Sequence, residues 1–361
     1  MERRQVCEIP VVPVHITEYQ SEVKKCPICS RKISSSFPDG VENTINFGPN
    51  LKTIALYLYT DLFTPYNKIV QLFHDWYDFD ISPATIEKFK SVASASLASY
   101  EDEVREKLLE SPILHADETG FRVGRERWWL HSLSTEKLTY YGVHQSRGSK
   151  AIDSMGVIPK YSGVLVHDFW KPYAKYSCLH AYCNAHLIRE LQGIYDGYKQ
   201  KWAKKMRTHL EKMYQLVFIT EVYSEHEMQE LLEEYDGLIM QGELANPPPP
   251  QEEGKRGKAK NTKGGNLAKR MKDYKYDILR FFTTRGKVPF TNNQAERDVR
   301  MMKVQQKISG PFRTKEGAEE FAKIRGYIST VRKHGYSVFE AVKALAVAQP
   351  ISLKDLESFV S

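Results

Sequence analysis

The 361-residue chain contains no apolar run approaching the roughly 18 to 20 residues of a membrane helix, and its basic opening leads into a short apolar stretch broken by Pro10 and Pro13. This predicts an unexported chain with no membrane partner and a cytoplasmic setting. Cysteine is scarce. Cys7, Cys26, Cys29, Cys178 and Cys183 make an odd set gathered in two regions, which argues against a disulfide framework and for metal or reduced thiols.

A hydrophobic share of 41% with 27% charged residues suits a soluble globular protein and excludes disorder for most of the chain. The length is about 2.4 times a typical domain of roughly 150 residues, so one to three domains are expected. The excess of 52 basic over 45 acidic residues permits a polyanionic partner without proving one. Basic residues crowd between Lys255 and Lys275, beginning with Lys255, Arg256 and Lys258, and Asp273 is the only acid among them. Composition favours a solvated linker; the sharper alternative is a phosphate-contacting arm.

Along the chain, residues 1–45 form a small irregular module around the knuckle Cys26-Pro27-Ile28-Cys29. Residues 46–111 are helical. Thr64-Pro65 and Ser82-Pro83 read as caps followed by first-turn prolines, and the last helix runs toward Glu110. Such helices suit either a helix-turn-helix or an ordinary bundle. Residues 112–197 carry three β-rich runs from Ile113, a short helix and a buried strand ending at Asp168, the pattern of an α/β domain. Residues 198–286 interrupt it with amphipathic helices and the basic tract. The domain resumes over 287–348, where Asn292 or Asn293 can cap a helix with Glu296, Arg300 and Lys303 on one face, and 349–361 form a tail.

Three carboxylates stand out: Asp117 in the first β-run, Asp168 at a strand end 51 residues later, and Glu296 on the late helix. Acids from adjacent strands and one helix can converge at one end of a sheet, where α/β folds place their sites. Oxygen ligands suit Mg²⁺, and ion pairs about 3.5 to 4 Å apart serve phosphoryl transfer. Spacing alone leaves many other triples open among 45 acids. By alternation Glu118 should face away from Asp117, and Asp298 lies off the helical face of Glu296.

The strings HADETG, VHDFW and NNQAER, in that order, with CNAH between the last two and KISGPFR after, resemble transposases of the insertion sequence sixty-six family. The similarity runs from about Arg4 to Val347. It implies a ribonuclease H-like catalytic domain with a helical insertion, preceded by the Cys-containing module and the helical domain. Asp117, Asp168 and Glu296 become the triad, holding two Mg²⁺ ions with Mn²⁺ as a substitute. Asn293, Arg297 and Arg300 belong to the same family string and either orient the helix or touch phosphate. Lys303 and Trp170 join them as DNA contacts, although strand aromatics more often pack.

The resemblance extends to Cys183 and His186, a Cys-x-x-His signature; a zinc set with Cys178 and His180 competes there with simple packing. It also implies an amino-terminal zinc on Cys26 and Cys29, with Cys7 and His15 as the remaining ligands. Tyr19 stands where the family has a histidine and Ser30 where it has a glycine, so loop-packing cysteines are the alternative. The chain would also lack the family's usual amino-terminal region. The implied activity is metal-dependent cleavage of the ends of a bacterial insertion sequence and strand transfer into target DNA. Its partners would be double-stranded DNA, further copies of the chain and accessory proteins of the element. A truncated, non-catalytic DNA-binding or inhibitory relative is the main rival, and a nuclease acting on RNA/DNA hybrids is a third reading.

Overall fold

The structure, a computed structural model, describes residues 3–8, 13–220, 223–249 and 260–359; Lys255, Arg256 and Lys258 lie outside the described residues. The chain divides into two compact units, residues 1–100 with 304–311 and 315–361, and residues 101–303 with 312–314. No helix among the described residues is long and apolar enough to cross a membrane.

In the first unit, β1 (Val23–Lys25) and β2 (Lys32–Ser34) form an antiparallel hairpin whose turn carries Cys26 and Cys29. Helices α1 (Pro49–Thr60), α2 (Tyr66–Tyr77) and α3 (Pro83–Ala95) follow. The Ser82 side chain caps α3 by accepting the Thr85 N–H, as the sequence predicts. At α2 the cap position falls on Pro65 instead of Thr64, without a side-chain cap. The helix expected to run on to Glu110 breaks after Ala95 and restarts as α4 (Ala98–Glu110), which belongs to the second unit from Glu101 onward.

In the second unit, the three expected β-runs, β3 (Ile113–Val123), β4 (Glu126–Ser134) and β5 (Thr139–His144), form an antiparallel meander, closed at Val123 and Glu126 by a turn with Gly124 in the left-handed region. Helix α5 (Ser149–Met155) leads to β6 (Val164–His167) and β7 (Leu179–Tyr182). The sheet order is β5-β4-β3-β6-β7, antiparallel on the meander side and parallel from β3 through β7. Apolar Leu114, Leu130, Leu133 and Leu165 are almost fully buried, each such burial contributing roughly 1.5 to 3 kcal/mol.

Helices α6 (Asn184–Tyr198), α7 (Lys201–Gln215), α8 (Glu225–Leu244) and α9 (Lys263–Asp273) are joined by short α10 (Lys275–Ile278) and α11 (Arg280–Thr283). They bury one core built on Trp202, Met206, Tyr235, Met271, Phe281 and Phe282. The interrupting segment is therefore a packed helical body. Helix α12 (Asn293–Ser309) carries Glu296.

The last helices are α13 (Lys315–Lys333), α14 (Val338–Ala346) and α15 (Leu353–Phe359). They belong to the first unit: α14 packs on α1 and α13 on α3. The sequence expectation draws residues 287–348 together, whereas contacts within the structure divide them near residue 304. The cause is visible in the side chains: buried Lys90 of α3 pairs with Glu320 at 3.1 Å, and Arg325 of α13 pairs with Asp61 at 2.6 Å. A buried charge needs its partner.

Candidate active site

Parallel pairing sets Ile113 opposite Val164 and His115 opposite Val166, and the same offset carried two residues further brings Asp117 level with Asp168. The 51-residue separation in the sequence equals this offset. On the far side β6 and β7 pair Val164 with Leu179 and His167 with Tyr182, so one further step brings Asp168 level with Cys183. The Cys183 N–H extends the ladder to the His167 carbonyl at 2.9 Å. Alternation puts the three side chains on one sheet face, the face where Val166, Ala181 and Val288 pack.

Asn292 ties the start of α12 to this face. Its side-chain amide donates to the Ala116 carbonyl at 2.8 Å, its Oδ1 lies 2.9 Å from His115 Nδ1, and its backbone N–H meets Cys183 Sγ at 3.2 Å. The expected helix-cap role for its side chain is thus replaced by a bridge to β3. Glu296, whose N–H bonds to the Asn292 carbonyl, directs Oε1 toward the Cys183 thiol at 3.7 Å, with His186 Nδ1 at 4.0 Å.

Electrostatics link the three acids. Burial first, then the negative charges of Glu118, Asp168 and Glu296, push the Asp117 carboxyl up to about 7, against the opposing pull of the Glu118 N–H on Asp117 Oδ1 at 2.8 Å. Asp168 Oδ1 accepts the Trp170 N–H at 3.0 Å. Asp117 and Asp168 do not join Glu296 within the reach of a single ion. Among the described residues the group with that compactness is Cys183, His186 and Glu296.

The opposite face holds a network that sequence reasoning missed. Glu118, buried and raised by that burial, takes Arg147 on Oε1 at 2.7 Å and the Tyr173 hydroxyl on Oε2 at 2.8 Å. The Arg147 guanidinium lies 4.2 Å from the Trp170 ring centroid and 5.0 Å from Trp129, whose ring also meets Arg127 at 4.4 Å. Trp170 is thus fixed by a cation–π contact beside Asp168. Arg147 and Glu118 lie 29 residues apart, and no local sequence signal joins them.

Of the other expected residues, Arg297 and Arg300 are exposed, and Lys303 donates to the Gly120 carbonyl. Cys26 and Cys29 share the hairpin turn, and backbone N–H groups of Cys29 and Ile28 hold the Cys26 thiol below its usual range. Among the described residues Cys7 and His15 are not gathered with them into a metal-sized group, and His15 contacts Thr17 at 3.5 Å. The set Cys178, His180, Cys183 and His186 is not assembled either. His180 spends one ring nitrogen on His167 at 2.9 Å and the other on the Tyr176 carbonyl at 3.0 Å.

No curated protein matches the chain. A family model described as the transposase IS66 family matches residues 44–320, more than three quarters of the sequence and all three acids, and the chain belongs to that family.

Proposed function

We propose that this chain is a Mg²⁺-dependent DNA transposase that cleaves the ends of an insertion sequence and transfers them to target DNA. The observation carrying this reading is the β3–β6 register that sets Asp117 level with Asp168, with the Glu296 charge felt at Asp117. A mixed five-stranded sheet with Asp117 within its central strand and Asp168 just past the end of the neighbouring one agrees with a ribonuclease H-like domain.

Asp117, Asp168 and Glu296 would hold two Mg²⁺ ions, for which Mn²⁺ is a substitute. Their carboxylate oxygens are hard ligands, and a divalent cation relieves the crowding of negative charge that raises Asp117. When bound, such ions favour deprotonation of the attacking oxygen and stabilise the leaving one. The acids fix where the scissile phosphate sits. In each step the attacking oxygen loses its proton and bonds to phosphorus while the bridging P–O bond breaks. Water attacks first, and the released 3′-hydroxyl attacks target DNA second. Arg297, Arg300, Lys303 and Trp170 would flank the bound strand, and Lys255, Arg256 and Lys258 would add phosphate contacts. Holding two ends together requires further copies of the chain.

Purified protein incubated with labelled element-end DNA and Mg²⁺ should nick and join it, while Asp117→Asn and a Ca²⁺ control should not. Metal-independent protection of the ends without nicking would establish a non-catalytic binder instead.

A further inference from the structure

We propose that Cys183, His186 and Glu296 form a site for a thiophilic divalent cation, zinc by its chemistry, distinct from the magnesium pair but sharing Glu296. Their ligand atoms lie within 4.8 Å of one another, with Glu296 Oε1 at 3.7 Å from Sγ and 4.0 Å from His186 Nδ1. Ligands at ordinary zinc bond lengths stand about 3.3 to 3.8 Å apart in a tetrahedron, so small side-chain shifts close the site.

Three features point to a ligand there. His186 Nδ1 is buried without a hydrogen-bond partner, an orphan atom beside a carboxylate and a thiol. Cys183 Sγ receives the Asn292 N–H at 3.2 Å and stands at the amino-terminal cap of α6, which together hold the sulfur facing Glu296. Cys183 and His186 are three residues apart at that helix start, so one turn presents both. The His186 and Glu296 side chains are 37% and 26% exposed, which leaves the ion a route in and a water the fourth position.

Binding replaces the S–H bond by a metal–sulfur bond and releases one proton to solvent, with no redox change. A thiolate and an imidazole select zinc over magnesium. Because the shared carboxylate is a member of the proposed triad, zinc here competes with magnesium for it; this consequence rests on the function proposed above.

Cobalt is the probe. Full-length reduced protein carrying Cys7→Ser, Cys26→Ser and Cys29→Ser, stripped of metal and titrated with Co²⁺, should show a thiolate-to-cobalt charge-transfer band that added zinc abolishes. Cys183→Ser in that background should remove the band, and His186→Ala, at a half-exposed position that tolerates truncation, should weaken cobalt binding at least tenfold. No band in the background protein, or a band indifferent to both changes, overturns the site. The readout needs no DNA, so a band without Mg²⁺-dependent nicking sinks the transposase reading and keeps the site. Nicking unaffected by saturating zinc overturns the competition.

Discussion

At Asp117, burial and like charge act in the same direction. A carboxyl raised from 3.8 to about 7 takes up a proton on folding between those values, so its contribution to stability falls as pH rises through that window and stays low above it. Asp117→Asn removes this cost. In EDTA at pH 8 the variant should be more stable by on the order of 2 kcal/mol, seen as a melting temperature several degrees higher, while nicking falls about a thousandfold or more. An unchanged or lower melting temperature would show that the acids do not strain the metal-free fold. His131 acts in the opposite sense. It is 2% exposed, and burial lowers it to about 4 against the opposing pull of the Ser146 backbone. Its folded value lies below the unfolded 6.5, so stability is lost as pH falls from about 6.5 toward 4, and His167, lowered to about 3, adds to the same acid limb. His131→Leu should therefore reduce the difference in urea midpoint between pH 7.5 and 5; an equal difference in both proteins would refute this origin of the acid sensitivity.

Helix α12 illustrates how an element comes to position an acidic side chain. Its amphipathic pattern and family string were legible in the sequence, as was β3, whose run from Ile113 to Val123 is the observed strand. What positions α12 was not legible, because Asn292 bonds with residues 176 and 177 positions away and no local pattern encodes such contacts. Strand β7 escaped for another reason: four residues are too short for alternation to register, yet they bring Cys183 level with Asp168. The partners of α13 and α14 were invisible because an amphipathic helix declares an apolar face without naming what covers it. Glu118 was correctly read as facing away from Asp117, but its pairing with Arg147 needed the folded meander. The bridge made by Asn292 is testable. Asn292→Ala should cost about 2 kcal/mol in urea denaturation, since it strands buried polar groups on β3. It should also lower nicking more than tenfold at saturating Mg²⁺ by loosening the first turn of α12. Full activity with lost stability would restrict Asn292 to a structural role.

Across the whole molecule, the formal charge of +7 says less about DNA than the disposition of the charges does. The basic tract separates into two parts. On and just after α9, Lys269 pairs with Asp273, Arg270 with Glu190, Lys272 with Glu243 and Lys275 with Asp236, at distances between 2.6 and 3.0 Å. Exposed pairs of this kind add little stability, but each cancels the positive field that would attract a phosphate. The nucleic-acid role expected of the tract therefore falls to its earlier part, Lys255, Arg256 and Lys258 together with Lys260 and Lys263. Each phosphate contact on double-stranded DNA contributes about 0.9 to the slope of log affinity against log salt. Replacing Lys255, Arg256 and Lys258 together by glutamine should lower that slope by between two and three in a titration with element-end DNA. The paired control Lys269→Gln with Lys272→Gln should leave it nearly unchanged. A triple variant with the wild-type slope would make the segment a solvated linker and move the search for the electrostatic footprint to Arg297 and Arg300, the exposed cations beside Glu296.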